Sequence, residues 1–297
     1  MADYKINDKK FDVDRLAAID VHVHIEHEGE GTETDEAARK YFGEGAPRGR
    51  QGMADYYRSR NIGCVVFTVA ERLSGRPQVS NDTVIEFAAQ NSDIMMAFAS
   101  VDPTLGPAAI EEAKRLIKTG MIRGFKLHPP IQQFFPNDRI AYPLYKVIEE
   151  AQLPVLFHTG HSGIGTGMPG GGGIRLKYGN PMYIDDVAVD FPDMPIIMAH
   201  PSFPWQDEAL SICLHKRQVY IDLSGWSPKY FPPSLIQYAN TLLKNKMLFG
   251  SDYPLITPDR WMADFAKIAI KDEVRPLILK ENAMRLFGFT SKQAATS

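Results

Sequence analysis

Eight short, nearly continuous apolar segments recur along the chain, and longer stretches separate them. Such segments are typical of strands in a parallel sheet that is covered on both faces. They span residues 17–24, 63–69, 94–101, 122–128, 154–160, 195–200, 218–224 and 246–252. The chain therefore predicts an eight-stranded parallel sheet.

The stretches between these segments carry helical periodicity. Residues 106–120 place one apolar stripe opposite Glu, Lys and Arg, and the stripe consists of Ala109, Ile110, Ala113, Leu116 and Ile117. Similar patterns occupy residues 142–152, 206–216 and 232–244. Eight strands that alternate with helices over about 250 residues predict an α/β fold, the (β/α)8 TIM barrel. In that fold the active site lies at the C-terminal ends of the strands.

The spacing of the strands also predicts the domain organisation. We expect a single domain over residues 1–297, with the barrel at about 17–289 and a disordered tail at 290–297. Two connections are longer than a barrel requires, namely residues 25–52 after the first strand and 159–180 after the fifth. Both follow a strand, so both should lie on the catalytic face and select the substrate.

Composition excludes several classes of protein. The net charge is −3 and charges of both signs are interspersed, so no basic patch indicates nucleic-acid binding. The two cysteines, Cys64 and Cys213, lie far apart in apolar surroundings, as in proteins of reducing compartments. We find neither an N-terminal signal peptide nor an apolar run that could span a membrane. We therefore expect a cytoplasmic protein without membrane partners.

Polar side chains collect at the ends of the predicted strands. The first strand, AIDVHVH, places Asp20, His22 and His24 on one face, because alternate residues of a strand point the same way. The later strand-end residues are Lys126, His128, His158, His200 and Asp252. Imidazoles and a carboxylate that converge at one end of a barrel are suitable ligands for Zn²⁺ and similar ions. The sequence therefore predicts a metal site.

These motifs resemble those of the metal-dependent amidohydrolase superfamily, in particular the branch of TIM-barrel hydrolases grouped with aminocarboxymuconate-semialdehyde decarboxylase. The matching motifs are IDVHVH, RGFKLHP, VLFHTG, IIMAHPS and LFGSDYP, and the resemblance extends from residue 17 to ENAMRLFGF at 281–289. The resemblance implies that the metal ligands are His22, His24, His158 and Asp252. It also implies that His200 is a catalytic histidine or a residue that supports the ligands.

The expected chemistry follows from the metal. A divalent ion lowers the pKa of bound water from 15.7 to about 7, so metal-bound hydroxide can attack a carbonyl carbon at neutral pH. Asp252 can bind the metal and accept the proton of that water, and His200 can stabilise an oxyanion or carry a proton. We therefore expect a metal-dependent hydrolase of a small organic molecule.

Two other functions stay open. Relatives perform non-oxidative decarboxylation of unsaturated or aromatic acids with nearly the same ligands. Some of these decarboxylases replace the first histidine of H-x-H by Glu, so His22 favours hydrolysis. A catalytically inactive binding scaffold is the third possibility, and the intact ligand set argues against it.

Lys126 has three interpretations. In binuclear members of the superfamily a lysine on this strand is carboxylated and bridges two metals. In the branch that this sequence resembles, one metal is usual, and the lysine can bind a substrate carboxylate or carbonyl. The third interpretation is an ion pair between Lys126 and Asp20. Asp20 itself has either a structural role or a role in supporting the ligands. We favour one metal over two.

The substrate contacts are expected on the same face as the metal. His128, Arg72 and Trp226 follow the fourth, second and seventh strands, and they are candidate substrate-binding residues together with Lys126. The chain is also similar to amidohydrolase-type β-ketoacyl-CoA hydrolases. That similarity implies that Arg72, Arg175, Lys177 and Arg76, the last of which lies outside the residues that the structure describes, meet the CoA phosphates. Aromatic and CoA-linked β-keto compounds are therefore candidate substrates. Barrels of this branch are often homo-oligomers, and the resemblance implies one here.

Overall fold

The computed structural model describes residues 11–26, 36, 49–74 and 79–290. Eight parallel strands pair in the order in which they occur along the chain. They are β1 Ala18–His24, β2 Ile62–Phe67, β3 Met95–Ala99, β4 Ile122–Leu127, β5 Val155–His158, β6 Ile196–Ala199, β7 Val219–Asp222 and β8 Met247–Leu248. The predicted (β/α)8 TIM barrel is confirmed.

Backbone hydrogen bonds close the barrel between its first and last strands. The N–H of Val21 donates to Phe249 O at 2.9 Å, and the N–H of His24 donates to Tyr253 O at 2.8 Å. In the other direction, the N–H of Asp252 donates to His22 O at 3.0 Å. This β1–β8 seam fixes the backbone around three of the predicted metal ligands.

Helices surround the barrel. They are α1 Arg50–Ser59, α2 Asn81–Gln90, α3 Pro107–Lys118, α4 Pro129–Gln132, α5 Tyr142–Glu150, α6 Met182–Asp190, α7 Gln206–His215, α8 Pro233–Ala239, α9 Pro258–Phe265 and α10 Asn282–Leu286. Two of them begin at a hydroxyl cap, since the side chains of Ser80 and Thr257 accept from the backbone N–H groups of Thr83 and Arg260. In α3, Ala109, Ala113 and Leu116 of the predicted stripe are buried, and Ile110 and Ile117 are half-buried.

The elements differ from the predictions mainly in length. The last predicted strand covered 246–252, but Asp252 adopts a left-handed backbone with φ 69°, and the regular strand ends at Leu248. The helix predicted over 232–244 ends at Ala239. The loop after β5 contains two short 3-10 turns, Pro169–Gly173 and Leu176–Gly179. Most of the predicted loop 25–52 and of the tail 290–297 lies outside the described residues.

The described interior is mainly apolar, and many of its buried polar residues lie at or just after the ends of the strands. Both cysteines are buried and unpaired, and burial raises the pKa of the Cys213 thiol to about 12.

Across the described residues, no helix combines the length and the apolar character that a membrane span requires.

Candidate metal centre

Three side chains at the β1–β8 seam bring their ligand atoms together. His22 Nε2 lies 3.2 Å from His24 Nε2 and 3.3 Å from Asp252 Oδ1. His24 Nε2 lies 3.1 Å from Asp252 Oδ1. A tetrahedral site with bonds of about 2.0–2.1 Å separates its ligand atoms by about 3.3 Å. These three residues, the ligand triangle, therefore have the spacing of three ligands of one ion.

The electrostatics of the ligand triangle suit a cation. Burial by itself raises the pKa of the Asp252 carboxyl, but the hydrogen bond from His24 and the nearby basic groups outweigh it and lower this pKa. Burial, together with the charge of Lys126, lowers the pKa of His22 well below its ordinary value. The triangle therefore offers an ionised carboxylate and a neutral buried imidazole, which are the forms that bind metals.

Two residues at the end of β7 support His22, and the sequence analysis missed both. Asp222 Oδ2 lies 2.7 Å from His22 Nδ1, and Ser224 Oγ lies 3.0 Å from the same nitrogen. A carboxylate behind a ligand histidine orients the ring and raises its basicity. Burial raises the pKa of Asp222 to about 7, while hydrogen bonds from Ser224 and the charge of Lys126 oppose that rise. The available indication was an acid at the end of a buried strand, in the segment YIDLS.

Asp20 binds backbone and hydroxyl groups rather than the ligand rings. Its Oδ1 accepts from the N–H groups of His22 and Ser251, at 3.1 and 2.9 Å. Its Oδ2 accepts from the hydroxyls of Tyr57 and Ser251, at 2.8 and 2.5 Å. These contacts tie β1 to the segment after β8. They leave the Asp20–Lys126 ion pair, one of the three interpretations of Lys126, without support.

Lys126 is fully buried beneath the ligand triangle. Its Nζ lies 3.3 Å from His22 Nε2 and 5.1 Å from the ring centroid of Phe67. Burial lowers the pKa of this amine to about 8, and the charges of Asp222 and Asp252 oppose the change. Lys126 is not among the residues that line the adjoining cavity.

A second group of imidazoles lies beside the triangle. His200 Nε2 lies 3.1 Å from His158 Nδ1, and the rings of His158 and His128 stack with centroids 3.8 Å apart. His200 has a left-handed backbone with φ 70°, a rare conformation that concentrates at functional sites. Burial is the main cause that lowers the pKa of His200 to about 4. His158 lies next to His200 rather than within the ligand triangle.

The Nε2 atom of His158 is relevant to the metal. This nitrogen is buried and has no hydrogen-bond partner within the described part of the chain. The same is true of His128 Nδ1 and Ser162 Oγ. Buried polar atoms are normally satisfied, so an orphaned imidazole nitrogen in the cavity wall indicates an absent partner. His158 is not in the group of ligand atoms that lie within 4.8 Å of one another, and its role as the fourth ligand stays a prediction.

A cavity of about 420 Å³ opens from the ligand triangle towards the surface. His24 and Asp252 line its inner end together with three other histidines, His128, His158 and His200. Its wall is largely apolar and includes Ile164, Trp226, Leu255 and Ile256. His161, Tyr230 and Arg260 also line it, and the sequence analysis did not assign a role to His161 or Arg260. The cavity has the form of a small-molecule site.

The structure places three of the predicted substrate contacts away from this cavity. Arg72 is exposed and lines a separate groove of about 270 Å³, because the chain after β2 turns outward towards α3. Arg175 and Lys177 are exposed in the loop after β5 and do not line the cavity. His128 and Trp226 do line it.

The fold and the ligand triangle together define a TIM-barrel protein with a candidate metal centre. The amidohydrolase family model matches residues 19–289, which is most of the chain, so the chain belongs to the amidohydrolase family. The predicted membership of the metal-dependent amidohydrolase superfamily is confirmed. None of the curated proteins compared with the chain matches it significantly.

Solved structures with the same fold include both hydrolases and decarboxylases. An uncharacterised TIM-barrel protein from Bordetella bronchiseptica is 26% identical, with a TM-score of 0.74, over 91% of this chain and 98% of that chain. A dihydroxybenzoic acid decarboxylase from Polaromonas sp. JS666, with bound manganese and the inhibitor 2-nitroresorcinol, is 15% identical (TM-score 0.65; 92% and 97% covered). A probable 2-pyrone-4,6-dicarboxylic acid hydrolase from Acinetobacter baumannii, with citric acid bound, is 20% identical (TM-score 0.60; 92% and 100% covered).

Proposed function

We propose that the protein is a metal-dependent hydrolase in which water attacks a carbonyl carbon of a small organic substrate. The observation that carries the proposal is the ligand triangle of His22, His24 and Asp252 at the inner end of an apolar-walled cavity. The chain belongs to a metal-dependent family of enzymes, and the cavity volume suits a small molecule.

The donor set favours one divalent ion. Two imidazole nitrogens and a carboxylate oxygen suit Zn²⁺, and we propose His158 Nε2 as the fourth ligand. Manganese is the second candidate, because the Polaromonas decarboxylase binds it. A bound divalent ion supplies Lewis acidity, which polarises a carbonyl oxygen and lowers the pKa of water.

The side chains around the triangle supply the proton transfers. We propose that Asp252 accepts the proton of the attacking water, because its carboxylate is ionised and its second oxygen, Oδ2, faces Gly225 rather than the triangle. Two roles were predicted for His200, an acid–base role and support of the ligands. Both of its ring nitrogens are in hydrogen bonds, to His158 and Ser224, which favours the supporting role.

Two of the predicted substrate contacts belong to this proposal. His128 and Trp226 line the cavity, so we propose that they hold the substrate next to the triangle. Lys126 lies beneath the triangle, so its ammonium group can reach only a substrate atom that is bound at the triangle itself. Arg72 is not part of the proposed site.

The competing function is non-oxidative decarboxylation, the activity named for the Polaromonas neighbour. The same triangle can orient a carboxylic acid, and protonation at carbon then replaces the attack of water. The products separate the two functions, because a hydrolase incorporates solvent oxygen and a decarboxylase releases CO₂.

The first test is the metal content of protein purified without chelators and then reconstituted with Zn²⁺. One ion per chain supports the proposed site, and two ions would assign Lys126 as a carboxylated bridge between them. No bound ion after reconstitution would overturn the proposal. With the loaded protein, incorporation of ¹⁸O from water into lactone and β-diketone probes supports hydrolysis. CO₂ release from 2,6-dihydroxybenzoate without ¹⁸O incorporation would replace it by decarboxylation.

A further inference from the structure

Three buried side-chain polar atoms have no hydrogen-bond partner among the described residues, and all three belong to residues that line the cavity. They are His158 Nε2, His128 Nδ1 and Ser162 Oγ. The proposed function gives His158 and His128 roles towards the metal and the substrate. It gives none to Ser162, which is only 2% exposed. Because buried polar groups normally have partners, Ser162 is a candidate contact for a molecule that enters the cavity.

Other buried hydroxyls of this region have partners within the protein. Thr159 Oγ1 donates to Ala199 O at 2.7 Å, and Ser227 Oγ donates to Asp264 Oδ2 at 2.6 Å. Ser227 lines the same cavity and is 3% exposed, almost as little as Ser162. The hydroxyl of Ser162 therefore differs from that of Ser227 in its partners and not in its burial.

The backbone before Ser162 is fixed to the segment after β6. The N–H of His161 donates to Phe203 O at 2.7 Å. Gly160 has a φ of +82°, and a Cβ at this position would lie 2.6 Å from the backbone of Ser202. Only glycine fits so close an approach of two backbones in this conformation. These contacts hold Ser162 at the cavity wall, away from the surface of the protein.

A partner for this hydroxyl must come from whatever occupies the cavity. A serine hydroxyl has one donor and two acceptor sites and turns about a single bond, so it can meet either a donor or an acceptor. Water can fill this role in the free protein. A substrate that displaces the water loses affinity unless it supplies an equivalent polar atom. The substrate should therefore carry a polar atom next to Ser162, while its apolar part contacts the wall of the cavity.

The surroundings of Ser162 favour an uncharged oxygen. Among the described residues that line the cavity there is no lysine, and the one arginine, Arg260, is exposed. The two cavity residues that follow Ser162 are Gly163 and Ile164, which are also uncharged. A buried carboxylate is costly without a cationic partner, whereas the oxygen of a hydroxyl or carbonyl group is satisfied by a hydrogen bond.

We propose that Ser162 is a specificity-determining residue that hydrogen-bonds an uncharged oxygen, in a hydroxyl or carbonyl group, of a substrate with an otherwise apolar body. This oxygen is separate from the carbonyl group that reacts at the ligand triangle, so the substrate has two oxygen functions. The contact with Ser162 rests on the cavity and the buried hydroxyl, and the reacting carbonyl group rests on the proposed function.

Binding of small probes to the metal-free protein tests the contact. The probes are ethylbenzene, benzyl alcohol, acetophenone and benzoate, and ligand-observed NMR gives their dissociation constants. We expect Ser162→Ala to weaken the binding of benzyl alcohol and acetophenone by about 3–10-fold, the range of one net hydrogen bond. Ethylbenzene, which matches benzyl alcohol in size but has no oxygen, should bind equally well to both proteins.

Ser227→Ala is the matched control, because it removes a hydroxyl from the same cavity that already has a partner, Asp264. We expect this variant to bind all four probes as the unmodified protein does. Equal effects of Ser162→Ala on ethylbenzene and benzyl alcohol would overturn the proposal, and so would a lack of binding of the alcohol and the ketone to the unmodified protein. Benzoate as the probe most weakened by Ser162→Ala would overturn the assignment to an uncharged oxygen.

Thermal unfolding of the metal-free variants supplies a second measurement. Ser227→Ala loses a hydrogen bond to a carboxylate, so its Tm should fall by about 2–6 °C. Ser162→Ala loses no hydrogen bond to a described residue, so we expect a smaller fall. An equal or larger fall would show that the Ser162 hydroxyl already has a partner in the protein, and it would overturn the proposal.

The probe experiment and the metal analysis fail independently of each other. The probes are compared without metal, so their dependence on Ser162 does not require the ligand triangle to bind an ion. A protein that binds no zinc but shows the expected loss in Ser162→Ala would keep the contact and lose the proposed function. A protein that binds one zinc ion without that loss would keep the proposed function and lose the contact.

Discussion

The two ends of the cavity are built from different parts of the barrel. Its inner end is the ligand triangle, whose residues lie on β1 and in the segment after β8, and His22 of the triangle is held by the buried Asp222. Its outer end, which we call the rim, consists of Trp226, Tyr230 and Arg260 from the segments after β7 and β8. Tyr230 is 63% exposed, and Arg260 is also exposed. In a barrel of this kind the residues next to the strands are expected to carry the chemistry, and the residues of the loops are expected to select the substrate.

We expect the largest loss of bound zinc from a substitution that removes the negative charge of the ligand triangle. In Asp252→Asn a neutral amide replaces the only carboxylate of the ligand triangle, and we expect no stoichiometric zinc after dialysis. The loss should exceed the 10–100-fold typical of partners behind a ligand. Elemental analysis measures it, and Asp259→Asn, which removes an exposed acid paired with Arg60, is the control. A full zinc content in Asp252→Asn would remove Asp252 from the site.

Gly225 tests how closely the inner end is packed. A Cβ at this position would lie 2.5 Å from His200 Nδ1 and 3.2 Å from Asp252 Oδ2, and the backbone φ is +72°. We expect Gly225→Ala to lower the free energy of unfolding by about 2–3 kcal/mol, through backbone strain and overpacking, and to weaken zinc binding. Thermal unfolding measures the loss of stability, and competition with a chromophoric chelator for zinc measures the loss of zinc affinity.

Gly288→Ala separates the two causes. Gly288 has nearly the same φ, +73°, but a Cβ there meets no atom within 4 Å. The strain alone should cost about 1–2 kcal/mol and leave zinc binding unchanged. Equal effects of the two substitutions would show that the space beside His200 is not restricted.

His200→Ala distinguishes the two roles predicted for this residue. If His200 supports His158, removal of its ring should raise the zinc dissociation constant by about 10–100-fold, and this is the result we expect. Unchanged zinc affinity with turnover reduced by about 10²–10⁴-fold would instead assign His200 as the acid–base residue.

The smallest effect is expected at the rim. Tyr230→Ala removes a mostly exposed ring whose contact is with Lys229, and the free energy of unfolding should change by no more than about 0.5 kcal/mol. Zinc affinity should be unchanged. A loss of zinc binding in this variant would contradict the separation of the inner end from the rim.

The sequence predicts the inner end better than the rim for a physical reason. His22 and His24 lie towards the end of β1, and Asp252 lies in the segment after β8, which the closure of the barrel brings next to β1. Residue type and strand position therefore predict a polar cluster at this end of the barrel, while the choice of His22, His24 and Asp252 among its residues came from the resemblance to the amidohydrolase superfamily. The same logic failed for Arg72, because the direction of a chain after it leaves a strand depends on loop contacts.

The sequence analysis missed the supporting residues, although Asp222 is an acid at the end of a buried strand. Asp222 and Ser224 act through distances of 2.7–3.0 Å between strands that are remote in sequence, and no local pattern encodes those distances. For Asp20 the sequence left a structural role and a role in supporting the ligands equally open. In the structure its carboxylate accepts from the N–H groups of His22 and Ser251 and from two hydroxyls.

The β1–β8 seam joins residues that are synthesised far apart in time. His22 emerges 200 positions before its partner Asp222, and at about 5–20 residues per second this interval lasts roughly 10–40 s. During that time the two imidazoles of the first strand have neither a carboxylate behind them nor Asp252 beside them. On the proposed function, the growing chain therefore lacks the only carboxylate of the ligand triangle until the segment after β8 has been made. Capture of the metal would mark a finished barrel, and truncated chains would be left without it.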